Sequence, residues 1–181
     1  MIINLMQEIQ KNTTEHFEKI AKEYDHWKNK NWYYHKKLKQ IARRYAKDAK
    51  NVLDAGCGTG TILLSLNTKK GTGIDISPKM INVARQKASK TTKDFSFFAS
   101  DIVDFDTAEK FDAILLFDVI EHLTEPEKAM KALISLLTEN GIIVLTMANP
   151  YWEPILLLAE KLGQKMPEGP HCRISSKNLI A

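Results

Sequence analysis

The densest chemistry in the sequence lies in two acidic residues and a run of alternating glycines. Val52-Leu53-Asp54-Ala55-Gly56-Cys57-Gly58-Thr59-Gly60 reads as a strand that closes on a carboxylate and turns through three glycines into a helix. Glycines at alternate positions let backbone N–H groups approach a ligand with no side chain in the way. Asp75 closes the next apolar run about 20 residues on, where an acid can accept hydrogen bonds from both hydroxyls of a ribose. One adenosine-bearing ligand would satisfy both features. A dinucleotide turn has the order Gly-x-Gly-x-x-Gly, whereas here it is Asp-x-Gly-x-Gly-x-Gly. At Asp54 a carboxylate suits a ligand carrying an ammonium group and fits poorly beside a pyrophosphate. The bland alternative is a tight strand-to-helix turn with no ligand.

A second constellation follows the run Phe111–Phe117. Asp118, Glu121 and His122 fall on the turn at the carboxyl edge of the sheet, where open α/β sheets bind ligands. His122 is the first candidate for a general base that takes a proton from a hydroxyl acceptor. His171, in the loop Pro167-Glu168-Gly169-Pro170-His171-Cys172-Arg173, is the second. A capping or packing histidine is the competing reading of His122. One-turn spacing could also bring Asp118, Glu121 and His122 to a divalent metal, but the spacing alone does not assign one. Cys57 is read as a small loop-filling residue.

These residues need a scaffold that places strand ends along one edge. Short apolar runs at Asn51–Ala55, Lys70–Ile74, Phe95–Ala99, Phe111–Phe117 and Gly141–Ala148 suit buried parallel strands. Helical signals fall between them. Ser77-Pro78 supplies an N-cap with proline in the first turn, Thr124-Glu125-Pro126-Glu127 has the form of a capping box, and Asn140-Gly141 that of a helix C-cap. Upstream, Phe17, Ile20, Ala21, Tyr24 and Trp27 recur at helical spacing, as do Leu38, Ile41, Ala42, Tyr45 and Ala46, with an aromatic joint from Trp27 to Tyr34 between them. The expected fold is α/β: a parallel sheet wound right-handed and covered by helices on both faces. Its expected organisation is a helical extension over residues 1–50, a cofactor-binding core over 51–150, and a C-terminal helix and loop over 151–181.

Composition agrees with a packed domain. Of 181 residues, 44% are hydrophobic and 27% charged, which argues against disorder and coiled coil. Two cysteines far apart, Cys57 and Cys172, suit a reducing compartment, and no apolar run approaches the ~20 residues of a membrane span. A cytoplasmic location is expected, since residues 1–10 lack a leader pattern. Net charge is +4, with the basic excess in residues 1–50. There the charges alternate with Glu8, Glu15, Glu18, Glu23 and Asp25, the pattern of a solvated helix face. A basic arm meeting nucleic acid is the less favoured reading.

Taken together, Asp54, Asp75 and the glycine turn point to S-adenosylmethionine. The chain resembles a class I S-adenosylmethionine-dependent methyltransferase from about Phe17 onward, with its specific motifs between Val52 and Ala148. The resemblance implies that Asp54, Ala55, Gly56, Cys57 and Gly58 surround the methionine part of the cofactor and that Asp75 binds the ribose. It implies further that Ile76 packs on adenine, that Asp101 accepts from the adenine amino group and that the Ile102 N–H faces a ring nitrogen. Helices leading into the first strand are similar to lids in this family, so Tyr24 and Trp27 become cofactor candidates, as does Asp118 at the fourth strand. Glu121-His122 soon after that strand resembles the branch containing ubiquinone-biosynthesis O-methyltransferases, which implies a small-molecule acceptor and S-adenosylhomocysteine as product. Tyr33, Tyr34, Tyr151 and Trp152 fall near the expected acceptor mouth.

The family sheet has seven strands, ordered 3-2-1-4-5-7-6. Five are read here, so the resemblance implies a Rossmann-like doubly wound sheet in the order 3-2-1-4-5, with the terminal hairpin missing. The fifth strand would then be an open edge through which two copies could pair. A cofactor-binding module without turnover, or a nucleic-acid methyltransferase using the basic arm, are the alternatives.

Overall fold

The structure is a computed structural model and describes residues 2–147. Three helices come first: α1 (Ile2–Ile20), α2 (Tyr24–Lys30) and α3 (Trp32–Tyr45). The stripe from Phe17 to Trp27 is therefore two helices broken by a turn at residues 21–23, and the aromatic joint shrinks to Asn31 because Trp32 already opens α3.

Five strands follow, β1 (Asn51–Ala55), β2 (Lys70–Asp75), β3 (Asp94–Ala99), β4 (Phe111–Phe117) and β5 (Leu137–Thr146), with α4 (Pro78–Ala88) and α5 (Pro126–Ser135) between them. They form one sheet in the order β3-β2-β1-β4-β5, all pairs parallel. That is the expected order, with β1 central. Because side chains alternate along a strand, the sheet feeds two cores. Val52, Ala113, Leu115 and Phe117 pack with Leu38 and Ala42 of α3 and Ile81 and Ala84 of α4. Leu53, Ile114 and Leu116 face the other way, against Ala129 and Leu133 of α5.

Local signals fared unevenly. Ser77 caps α4 as its composition implies, its hydroxyl accepting from the Met80 N–H at 3.3 Å with Pro78 in the first turn. After Gly60, however, the chain makes only a 3-10 turn at Leu63–Ser65, since β2 begins at Lys70 and leaves no room for a longer helix. The capping box before α5 does not form: Glu125 occupies the cap position without a side-chain bond. Asn140-Gly141 is likewise no C-cap. Both residues lie inside β5, which starts at Leu137 and is irregular opposite Phe111 and Ala113. A Cβ at Gly141 would come within 2.8 Å of the Phe111 carbonyl oxygen, so this glycine answers a close backbone approach.

Candidate functional site

Parallel strands all present their carboxyl ends at one edge, and the acids found there converge. Asp54 closes β1, Asp75 closes β2, Asp101 follows β3 and Asp118 follows β4, and all four line a single cavity of about 260 Å³. Gly56, Cys57, Gly58, Ile76, Ile102 and His122 line it too, and Tyr24 reaches in from α2. Ala55 does not, because the strand's alternation turns its fully buried side chain into the α5 core. His171, Tyr151 and Trp152 lie outside the described residues.

The glycine turn makes the floor. Gly56, Gly58 and Gly60 all have positive φ, the left-handed region that side chains resist. At Gly58 (φ 53°) an added Cβ would sit 3.1 Å from a ring carbon of Tyr24, so the aromatic lies directly over the bare backbone. The same turn is tied to Asp75, whose carboxylate accepts from the Gly58 N–H at 2.8 Å and the Ser77 N–H at 2.9 Å. Burial pushes the Asp75 carboxyl up from its ordinary range, against the pull of those two donors. A carboxylate has about four acceptor sites, so two remain for hydroxyls.

Asp54 is 3% exposed, and its Oδ2 is buried with no hydrogen-bond partner among the described residues. Burial raises its pKa to about 7, with the Lys28 charge and the Leu63 backbone N–H pulling the other way. A buried carboxylate oxygen without a donor is costly unless something supplies one. An ammonium group in the cavity would do so. Both observations, the orphaned oxygen of Asp54 and the acceptor sites left on Asp75, fit an amino-acid-bearing nucleoside.

Asp101 has two donors among the described residues. The Val103 N–H reaches Oδ1 at 2.8 Å, and the side-chain amide of Gln10, on α1, donates to Oδ2. Asp118 is the lone non-glycine residue with positive φ among the described residues, at 55°. Tyr34 of α3 and Thr146 of β5 hold it there, their hydroxyls 2.7 and 2.9 Å from Oδ1. His122 stacks edge-on against Phe17 of α1 at 5.7 Å, and Phe17 in turn meets Tyr24 at 6.5 Å, so α1 and α2 roof the site together. Glu121 is buried and does not line the cavity.

Sequence reasoning missed Gln10, Lys28 and His35, all cavity-lining residues from the helical extension. Lys28 stands 4.3 Å from the Tyr24 ring centroid, and burial lowers its pKa against the attraction of Asp25 and Asp54. Burial, then Lys28 and Lys39, depress His35 to about 4, so its imidazole is neutral at physiological pH. Helical periodicity marks which face of a helix is apolar, but nothing local says that this face covers a cavity. Another network locks the roof to the floor. Asp25 of α2 accepts from Thr59 Oγ1 at 2.7 Å and from Thr61 Oγ1 at 3.2 Å, and it also pairs with Lys87 of α4.

Comparison with known proteins fits this geometry. The ubiquinone biosynthesis O-methyltransferase of Coxiella burnetii (strain RSA 493 / Nine Mile phase I) is 29% identical over 142 residues, covering 75% of this chain and 60% of that protein. The chain thus spans less than two thirds of the length of the curated relatives it matches first. Among solved structures, the N-methyltransferase NodS from Bradyrhizobium japonicum WM9, in complex with S-adenosyl-l-homocysteine, superposes with a TM-score of 0.72 at 24% identity, covering 93% of this chain and 83% of that one. A S-adenosylmethionine-dependent methyltransferase from Clostridium acetobutylicum ATCC 824 gives 0.65 at 21% identity, covering 75% and 61%. These two share the fold. Residues 46–176 match the family described as methyltransferase domain. This chain belongs to that methyltransferase domain family.

Proposed function

We propose that the chain binds S-adenosylmethionine in this cavity and transfers its methyl group to a hydroxyl of a small-molecule acceptor. The observation that carries the reading is the convergence of Asp54, Asp75 and Asp101 on one cavity. In this reading Asp54 meets the ammonium group, Asp75 the ribose hydroxyls and Asp101 the adenine amino group. Ile76 and the Ile102 N–H flank the base, and Tyr24 borders the methionine part beside Gly58. The curated relatives named for ubiquinone biosynthesis support an oxygen acceptor of small-molecule type.

When bound, the cofactor supplies a methyl on a sulfonium, open to in-line displacement as the C–S bond breaks and the new C–O bond forms. The chain's own task is alignment and proton removal. Asp54 and Asp75 fix two ends of the ligand, and the roof of Phe17 and Tyr24 excludes water. His122, on the cavity wall beside Phe17, accepts the acceptor's hydroxyl proton.

Calorimetry tests the first half of the proposal. S-adenosylmethionine and S-adenosylhomocysteine should bind and NAD should give no heat. Asp75→Ala should weaken cofactor affinity about 30- to 1000-fold by removing a charged acceptor shared by two hydroxyls. An unchanged dissociation constant would displace the ribose from Asp75. A panel of phenols, quinones and sugars then tests transfer, and a chain that binds cofactor but methylates none of them is a binding module.

A further inference from the structure

The outward face of α3 has no part in the cavity and combines exposed aromatics with a basic strip. Between Asp25 and Asp48 the sequence holds eight lysines and arginines and no acid. The apolar stripe of α3, Leu38 and Ala42, is buried in the core, which turns Trp32, Tyr33, Lys36, Lys37, Gln40, Arg44 and Lys47 to solvent. Trp32 and Tyr33 are each 60% exposed, side by side at the start of the helix. Two large aromatics exposed together form an apolar patch, and here the patch adjoins a strip of lysines and arginines in which the first acid is Asp48, paired with Lys47.

We propose that this face is a docking surface for a bilayer with anionic headgroups, held by the lysines and arginines and anchored by Trp32 and Tyr33 at headgroup depth. Aromatic residues beside a polybasic strip are the pairing that suits a membrane–water interface: the ring sits at the boundary and each nearby cation is attracted to the negative surface. The ring faces favour lipid over nucleic acid. Lys36 lies over Trp32 at 5.7 Å, Lys37 over Tyr33 at 5.4 Å and Lys30 over Trp27 at 4.2 Å, so the chain's own cations cover the faces on which bases would stack. The other side of the same helix borders the site, since His35 and Leu38 line the cavity and Tyr34 holds Asp118. Docking would therefore bring the cavity close to the bilayer without closing it. The inference stands on the surface alone and does not depend on the reaction proposed above.

Vesicle sedimentation with the full chain tests it, comparing pure phosphatidylcholine with phosphatidylcholine containing 30% phosphatidylglycerol (about one lipid in three, a usual anionic load). Binding is expected to the anionic vesicles only, to weaken as salt is raised, and to blue-shift fluorescence in a Trp32-dependent way. The triple variant Lys36→Ala/Lys37→Ala/Arg44→Ala should bind about 100-fold more weakly, about fivefold per charge removed. Trp32→Ala/Tyr33→Ala should weaken binding with the charge unchanged. A control triple that removes the same charge elsewhere, Lys69→Ala/Lys90→Ala/Lys131→Ala, should bind like the parent. Circular dichroism and thermal melts identify any variant that fails to fold. Equal binding to neutral vesicles, no binding to the anionic ones, or equal loss in the control triple would each overturn the proposal. So would tight binding of short RNA by a chain that ignores the vesicles.

Discussion

The Tyr34 hydroxyl lies 2.7 Å from both carboxylate oxygens of Asp118, 84 positions later in the chain. The contact ties α3 to the end of β4 at a residue whose backbone is left-handed, a conformation that aspartate tolerates better than most residues but at a cost. Removing the hydroxyl should release the turn that carries His122. Tyr34→Phe is expected to leave cofactor affinity within about twofold and to lower turnover about fivefold, the loss of one charge-assisted hydrogen bond being worth ~1 kcal/mol at an exposed site. Equal losses in affinity and turnover would mean that Tyr34 acts on the cofactor.

Gln10 predicts a competition. Its amide donates to the Asp101 oxygen that, in the proposed reading, receives the adenine amino group. Both are NH₂ donors, so in that reading the Gln10 amide and the purine compete for one acceptor. Gln10→Ala should therefore tighten cofactor binding, by about threefold to tenfold for one neutral-to-charged hydrogen bond, while Asp101→Ala weakens it. Calorimetry on the two variants decides. Weaker binding by Gln10→Ala would make Gln10 part of the bound site.

Asp54 sets a pH dependence. Burial raises its pKa to about 7, and a cationic ligand favours the ionised form. Cofactor affinity should then fall as the pH drops below about 7 and level off above it. Binding at pH 6.5 should release protons, seen as a buffer-dependent heat, because the ligand drives the carboxylate to ionise. Asp54→Asn should abolish both the slope and the proton release.

Asp25 has the opposite sign. Burial alone would raise it, but the hydrogen bonds of Lys87 and Thr59 and the charges of Lys87 and Lys28 outweigh burial and hold its carboxyl below the ordinary value. A depressed carboxyl contributes stability that is present above its unfolded pKa of 3.8 and is lost as pH falls through the lower folded value. Thermal melts should show Asp25→Asn less stable than the parent at pH 7, with the difference closing in acid. The pair is partly exposed, so salt should narrow the gap.

How much of this was legible follows from range. A strand that ends in an acid, a glycine turn and a second acid one strand later are local patterns, and a parallel sheet brings their carboxyl ends to one edge. Hence Asp54, Asp75 and His122 could be named as candidates from local pattern, while Asp101 and the order β3-β2-β1-β4-β5 followed from the resemblance to the family. Asn140-Gly141 misled because a glycine at a helix end and a glycine under a neighbouring carbonyl look alike in sequence. Only the pairing with Phe111 separates them.

The sequence by itself determined the sheet, its two cores and the acids along its edge, because alternation and turn chemistry act over a few residues. The tertiary structure decided which helical side chains enter that edge. Gln10 on Asp101, Lys28 beside Asp54, Tyr34 on Asp118 and the outward turn of Trp32 and Tyr33 depend on how α1, α2 and α3 seat on the sheet. That seating is set by non-local packing and by the Asp25–Thr59–Lys87 network, whose partners lie tens of residues apart and leave no periodic trace in the chain.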